Sequence, residues 1–197
     1  MILLDKTFWQ IKDTKNKGRG ISAKKKISAR TIIGDYIGKV LRTRDIDFTT
    51  IKDNLYLMYY HDEASVYPDL TKEGIHLLNH SCSPNSWIYT LHGHTLVFAL
   101  REIEKDEELT IDYLLPPTCG PGKCTHNCKC GSVNCKGTFH LTEEEFKSWR
   151  SFQEKREKKD KKARIKYGET LKLLTYYPKR IPKSYIKFIT LNFAPFA

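Results

Sequence analysis

No apolar run in this chain of 197 residues approaches the roughly eighteen residues that a membrane-crossing helix needs. A helical membrane span is therefore not expected. The opening stretch "MILLDKTFWQIKD" lacks a basic leader and a small-residue cleavage site, so it does not read as a secretory signal. An intracellular, reducing compartment follows. Cysteine is absent before residue 82, so no Cys-rich module precedes the first strand. In a reducing compartment the six cysteines read as metal ligands or reactive thiols before disulfides. Internal repeats are absent as well.

Acidic residues are the scarcer charge, 23 against 34 Lys and Arg, and the imbalance is local. From Leu141 onward stand 15 of the basic residues and 7 of the acidic ones, so the C-terminal third carries most of the net +11. Such an appendage suits nucleic acid, an anionic surface or an acidic partner, and equally a solvated helix. The hydrophobic share of 40% is enough for a folded core.

Short runs with alternating polarity fill residues 8–113, as half-buried strands require. They include "FWQIKD", "ISAKKKI", "TIIGDYIGKVL", "NLYLMYY" and "ELTIDYL", with "TKNKGRG" as an intervening loop. "LHGHTLVFAL" reads as a hairpin turning at Gly93. "TKEGIHLLNHS" is the one body segment with a helical pattern. The absence of alternating long helices argues against a doubly wound sheet and for a mainly β fold. "LLPPTCGPGKC" then ends the periodicity near Leu115. Three units are expected: a body over 1–115, a Cys-rich motif over 116–140, and a basic helical extension over 141–197. The extension opens with a capping box, Thr142 three residues before Glu145, and sets Phe146, Trp149 and Phe152 on one helix side. Its apolar end, "YIKFITLNFAPF", is expected to pack on the body or on another subunit.

"CKCGSVNCKG" places Cys128, Cys130 and Cys135 in a C-x-C-x4-C array suited to a closed tetrahedral zinc site. Spacing alone leaves the fourth ligand open between nearby Cys124 and distant Cys82. Cys82 stands in "NHSCSPN", forty-six residues before Cys128.

Four motifs in order, "KGRGISA", "GDYIGKVL", "LLNHSCSPN" and "ELTIDY", followed by "CKCGSVNCKG", resemble a SET-domain protein lysine methyltransferase with a post-SET zinc motif. The likeness spans residues 17–139. It implies a fold of small curved β-sheets with a pseudoknot, in which "ELTIDY" threads beside "NHSC". It also implies transfer of a methyl group from S-adenosylmethionine to a lysine of a histone or another Lys-rich nucleic-acid-binding protein. A nuclear or chromatin location follows in a eukaryotic cell, and a cytoplasmic one otherwise.

By the same resemblance the zinc ligands are Cys82, Cys128, Cys130 and Cys135, with Cys119 and Cys124 left as free thiols or competing ligands. The zinc would be structural. Tyr113 is the catalytic tyrosine and Tyr36 lines the lysine channel. Arg19, Gly20, Tyr56, Asn79, His80 and Phe139 are the cofactor contacts. Taken singly, Tyr113 would be one of 11 tyrosines and His80 an ordinary structural histidine; the motif raises both.

Two departures from the family pattern stand out. His76-Leu77 replaces the usual Arg-Phe, and the segment from Asp69 to Asn79 is shorter than usual. Ile111 occupies a place commonly held by Phe or Tyr, which leaves room for di- or trimethylation. Two rival readings remain: a zinc-bearing nucleic-acid-binding module working through Lys155–Lys166, and a degenerate SET fold acting as a non-catalytic scaffold.

Overall fold

The computed structural model of the chain describes residues 1–14, 17–47, 56–61, 63–91, 93–119, 124–159 and 176–192. The lysine-rich stretch from 160 and the last five residues lie outside them. Ten strands and two α-helices occur among the described residues. In chain order they are β1 (Trp9–Thr14), β2 (Gly18–Ala23), β3 (Ile32–Asp35), β4 (Lys39–Arg42), β5 (Met58–His61), β6 (Ala64–Tyr67), β7 (Asn79–His80), β8 (Ser86–Leu91), β9 (His94–Ala99), β10 (Glu108–Ile111), α1 (Glu143–Lys159) and α2 (Lys183–Asn192).

They form three small sheets, ordered β1-β2-β10-β7, β3-β9-β8 and β4-β6-β5. The first sheet sets the site. β10 arrives late in the chain and pairs antiparallel with β2 and parallel with β7, with Thr110 opposite Asn79 and Ile111 opposite His80. This brings "ELTIDY" beside "NHSC". Asn85, at the end of "NHSCSPN", is 2% exposed and holds β10 in place. Its amide nitrogen donates to the Glu108 carbonyl at 2.8 Å, and its Oδ1 accepts the Thr110 N–H at 2.9 Å. A buried amide bonded at both ends resists displacement, because any movement strands a polar group away from water.

The main core combines Ile21, Ile33, Val40, Tyr60, Val66, Ile75, Leu78, Val97 and Leu109 between the sheets. β9 is buried along its whole length, which accounts for the apolar run from Leu96 to Ala99. The expected hairpin is β8–β9, with Gly93 at φ +82° in the turn.

The helical extension packs on the β3-β9-β8 sheet. Trp149 and Phe152 of α1 and Ile189 of α2 join Ile32, Trp87, Leu96 and Phe98 in one buried cluster. The capping box forms as expected: the Glu145 N–H donates to Thr142 Oγ1 at 3.2 Å, and the Thr142 N–H donates to Glu145 Oε2 at 2.9 Å. Burying a Trp or Phe side chain contributes about 2–3 kcal/mol each, so this cluster is enough to dock the extension.

Three local expectations are corrected. "TKEGIHLLNHS" is not helical beyond a single 3₁₀ turn at Ile75–Leu77. Ile75, His76 and Leu77 are all buried, and the next residues must extend to pair with β10. Gly18, Arg19 and Gly20 of "TKNKGRG" belong to β2 and not to a loop, because Gly18–Ala23 pairs with β1 throughout. "TIIGDYIGKVL" splits into β3 and β4, which join different sheets.

Candidate active site and metal centre

Two cavities meet at Tyr113. The larger, about 320 Å³, is lined by Tyr36, Met58, Ile111 and Tyr113 from the body and by Trp149 and Arg156 from α1. The smaller, about 230 Å³, is lined by Lys17, Gly18, Arg19, Tyr56, Asn79 and Tyr113 among others. His76 also lines both. The sheet order explains the meeting point. Tyr113 leaves β10 just after the pairing with β7, so its ring projects where β2, β7 and β10 converge.

The Tyr113 hydroxyl donates to the Leu78 carbonyl at 3.2 Å, and burial pushes its pKa well above the usual tyrosine value. The phenol is therefore a neutral donor and not a base near pH 7. Tyr36 is similar: its hydroxyl donates to the Tyr56 carbonyl at 2.5 Å, and burial raises its pKa.

On the other wall, the Asn79 amide nitrogen donates to Glu108 Oε1 at 2.8 Å, with Thr14 Oγ1 and the Arg19 carbonyl each at 3.3 Å. Gly20 makes this possible, because a Cβ there would lie 2.6 Å from the Asn79 nitrogen. Glu108 also accepts from Lys17 Nζ at 2.6 Å through its other oxygen. Motif reading had passed over Glu108. A half-buried carboxylate bridging a cation and the motif asparagine is signalled only by its place at the head of "ELTIDY".

His80 and Phe139 line neither of these two cavities but back onto Tyr113. Phe139 lies 4.8 Å from the His80 ring and 5.4 Å from that of Tyr113, centre to centre. Burial lowers the His80 pKa to about 4, so the ring is neutral near pH 7. Its Nδ1 accepts the Tyr113 N–H at 3.2 Å, which puts the proton on Nε2. That nitrogen faces Cys82 Sγ at 3.2 Å.

His76, where the family pattern favours arginine, meets Tyr56 edge to face at 5.6 Å. Burial, then the positive charges of the chain's amino terminus and Arg19, lowers its pKa, so it supplies no fixed cation.

Behind His80 the thiols converge. Cys82 Sγ and Cys135 Sγ each lie 3.7 Å from Cys128 Sγ. Thiolates placed tetrahedrally about 2.3 Å from one zinc stand about 3.8 Å apart, so both spacings fit. The Cys82 N–H donates to Cys130 Sγ and the Lys136 N–H to Cys82 Sγ, each at 3.4 Å, as backbone donors do around metal thiolates. Every pair of donor atoms from His80, Cys82, Cys128 and Cys130 lies within 4.8 Å. Cys135 touches that group through Cys128. His80 is the weaker candidate for fourth ligand, because the nitrogen facing the thiols carries its proton.

Residues 18–114 match the SET domain. A Mycosarcoma maydis protein named histone-lysine N-methyltransferase, H3 lysine-36 specific, is 33% identical over 142 residues, covering 66% of this chain and 14% of the relative. A Schizosaccharomyces pombe protein named histone-lysine N-methyltransferase, H3 lysine-9 specific, is 32% identical over 160 residues, covering 65% of this chain and 32% of the relative. Among solved structures, KRYPTONITE in complex with mCHH DNA, an H3(1-15) peptide and SAH aligns with TM-score 0.53 and 28% identity. That alignment covers 66% of this chain and 29% of that one. The chain thus spans less than a third of the length of these relatives. With β10 threaded between β2 and β7 inside the matched stretch, residues 18–114 of this chain are a SET domain.

Proposed function

We propose that the chain is an S-adenosylmethionine-dependent protein-lysine N-methyltransferase acting on a histone tail or another Lys-rich protein. The observation that carries this reading is the position of Tyr113, whose ring borders both cavities at once. Methyl transfer needs donor and acceptor in line on opposite sides of a narrow junction, and two cavities meeting at one half-buried phenol offer that arrangement. The names of the relatives, and the SAH and H3 peptide bound in the KRYPTONITE complex, agree with it.

S-adenosylmethionine would supply an electrophilic methyl group from the smaller cavity. Arg19, Tyr56 and Asn79, which line that cavity, are proposed to hold it, with Gly20, His80 and Phe139 backing its wall. The close approach of β2 to Asn79, permitted by Gly20, fits that role. The acceptor lysine would enter the larger cavity past Tyr36. A free lysine has a pKa of about 10.4 and must lose its proton before it can attack. Aromatic walls from Tyr36, Tyr113 and Trp149 desolvate the amine and favour its neutral form. The neutral Tyr113 hydroxyl then holds the reacting groups in line without competing for the proton.

Cys82, Cys128, Cys130 and Cys135 are proposed to hold a structural zinc that fixes residues 116–140 against the body over 1–115. Nuclear, chromatin-associated action follows from the histone reading. The extension over 141–197 contributes Trp149 and Arg156 to the larger cavity, so it is proposed to shape the substrate entrance. Contact with nucleic acid through its basic residues is a further part of the proposal.

The test is methyl transfer from labelled S-adenosylmethionine to core histones and a nuclear extract, with wild type and Tyr113→Phe side by side. Label on lysine that is lost in the variant is the expected result. Equal labelling by both proteins, or a wild type that binds cofactor yet labels no lysine in either preparation, would count against it.

A further inference from the structure

A second set of metal donors lies beside the first. Cys119, Cys124, His126 and His140 bring four ligand atoms within 4.8 Å of one another. Their spacing is C-x4-C-x-H-x13-H, too scattered to register as a motif. The fold assembles it. Leu115 bridges to His140, Asn127 bridges to Thr138, and the Phe139 N–H donates to the His126 carbonyl at 3.1 Å. The chain leaving β10 is thereby placed against both limbs of the Cys-rich segment.

The individual distances bear on what the cluster is. His140 Nε2 lies 3.1 Å from Cys119 Sγ, 3.3 Å from Cys124 Sγ and 3.1 Å from His126 Nδ1. Cys119 Sγ is also 3.4 Å from His126 Nδ1. On the far side of its ring, His140 Nδ1 contacts the Pro116 carbonyl at 2.5 Å. A carbonyl only accepts, so Nδ1 carries the proton and Nε2 presents its lone pair to the cluster. One lone pair accepts one hydrogen, yet three heteroatoms crowd it. Hydrogen bonds therefore explain one of those contacts and leave two sets of lone pairs facing each other.

A cation at the centre resolves all of them. Ligands at zinc bond lengths in a tetrahedron stand about 3.3 Å apart for two nitrogens and about 3.5 Å for nitrogen and sulfur. The contacts here fall within about 0.4 Å of those values. The His140–Pro116 hydrogen bond is the usual outer support of a metal-bound imidazole.

We propose that Cys119, Cys124, His126 and His140 form a second zinc site, a closed Cys2His2 centre separate from the thiolate cluster at Cys82. Four protein ligands leave no open position, so the ion is structural. Its location gives it a task. Phe139 sits between His140 and the rings of His80 and Tyr113, and its ring is 6.4 Å from that of His126. Zinc here pins the strand carrying Phe139 across the face of the Tyr113 site. Cys119 and Cys124 are then ligands of a site of their own, and neither spare thiols nor competitors for the first.

The test counts metal and does not depend on catalysis. The full chain is saturated with zinc, passed into metal-free buffer, and analysed by elemental mass spectrometry. Cys119→Ser combined with His140→Ala should remove one zinc per chain, while Cys130→Ser removes the other and leaves this one. An unchanged count in the Cys119→Ser/His140→Ala protein overturns the second site. His140→Cys covers the case in which that double variant fails to fold. It should keep the wild-type count, and its cobalt-substituted form should gain sulfur-to-metal charge-transfer absorption. A cobalt spectrum identical to wild type would equally overturn the proposal.

Discussion

The backbone N–H of Tyr113 donates to Nδ1 of His80 at 3.2 Å, and the two rings meet edge to face at 5.3 Å. This contact carries the β7–β10 pairing two residues past Ile111 and fixes which histidine nitrogen faces the thiols. The proposed reaction site and the proposed metal centre are thus two sides of a single imidazole.

Removing only the Tyr113 hydroxyl separates chemistry from architecture. Tyr113→Phe keeps the ring contacts with His80 and Phe139 and loses the hydrogen bond to the Leu78 carbonyl. The expected stability loss is about 1 kcal/mol. Turnover should fall about 100-fold or more if the hydroxyl acts in the transition state. Initial-rate methylation assays, paired with thermal unfolding, read the two effects separately.

Glu108 should matter to cofactor affinity without touching the reacting atoms. Its two oxygens accept from Asn79 and from Lys17, both on the wall of the smaller cavity. Glu108→Gln replaces one acceptor by a donor, so either Asn79 or Lys17 loses its partner. Binding of S-adenosylhomocysteine, measured by calorimetry, should weaken about tenfold, the equivalent of about 1.4 kcal/mol. Unchanged affinity would remove Glu108 from the site.

The pH dependence of stability rests on two neighbours with opposite shifts. Burial lowers His80 from 6.5 to about 4, so between those values the unfolded chain binds more protons, and acidification destabilises the fold. Burial raises Asp112 from 3.8 to about 6, so there the folded chain binds more protons, and acidification stabilises it. The carboxylate lies 3.5 Å from His80 Nδ1, and the two effects nearly offset in the wild type. Asp112→Asn removes one of them while keeping an oxygen for the Leu114 N–H. Relative to wild type, the variant should lose up to about 3 kcal/mol as pH falls from 6.5 to 4. Denaturant titrations of both proteins across that range measure the difference, and metal release common to both cancels.

Much of this site was legible because its motifs are short and local. "NHSCSPN" and "ELTIDY" lie on paired strands, and Thr142 with Glu145 announces α1 without help from the rest of the chain. What could not be read arises from contacts between distant segments. The helical spacing around Ile75, Leu77 and Leu78 reflects burial among the sheets, not one helix face. β6 went unrecognised, since "ASVY" is short and its identity as a strand depends on β4 and β5 on either side. His126 and His140 lie fourteen residues apart, and the bridges from Leu115 to His140 and from Asn127 to Thr138 bring them together beside Cys119.

Product state turns on Ile111. It stands opposite His80 in the β7–β10 ladder, is 3% exposed, and lines the larger cavity beside Tyr113. An isoleucine has no hydroxyl to anchor a water next to the acceptor amine, so the space can take methyl groups already added. Under the proposed reaction, the chain is therefore expected to carry its substrate to di- or trimethyl-lysine. Ile111→Tyr introduces a bulkier ring and a hydroxyl at the same place. Overpacking should cost about 1–3 kcal/mol, and the product should shift toward monomethyl-lysine. Mass spectrometry of exhaustively treated substrate distinguishes the outcomes. A wild type that stops at one methyl would mean another side chain limits the cavity. Continued multiple methylation by a folded Ile111→Tyr protein would mean that the new hydroxyl does not reach the acceptor amine.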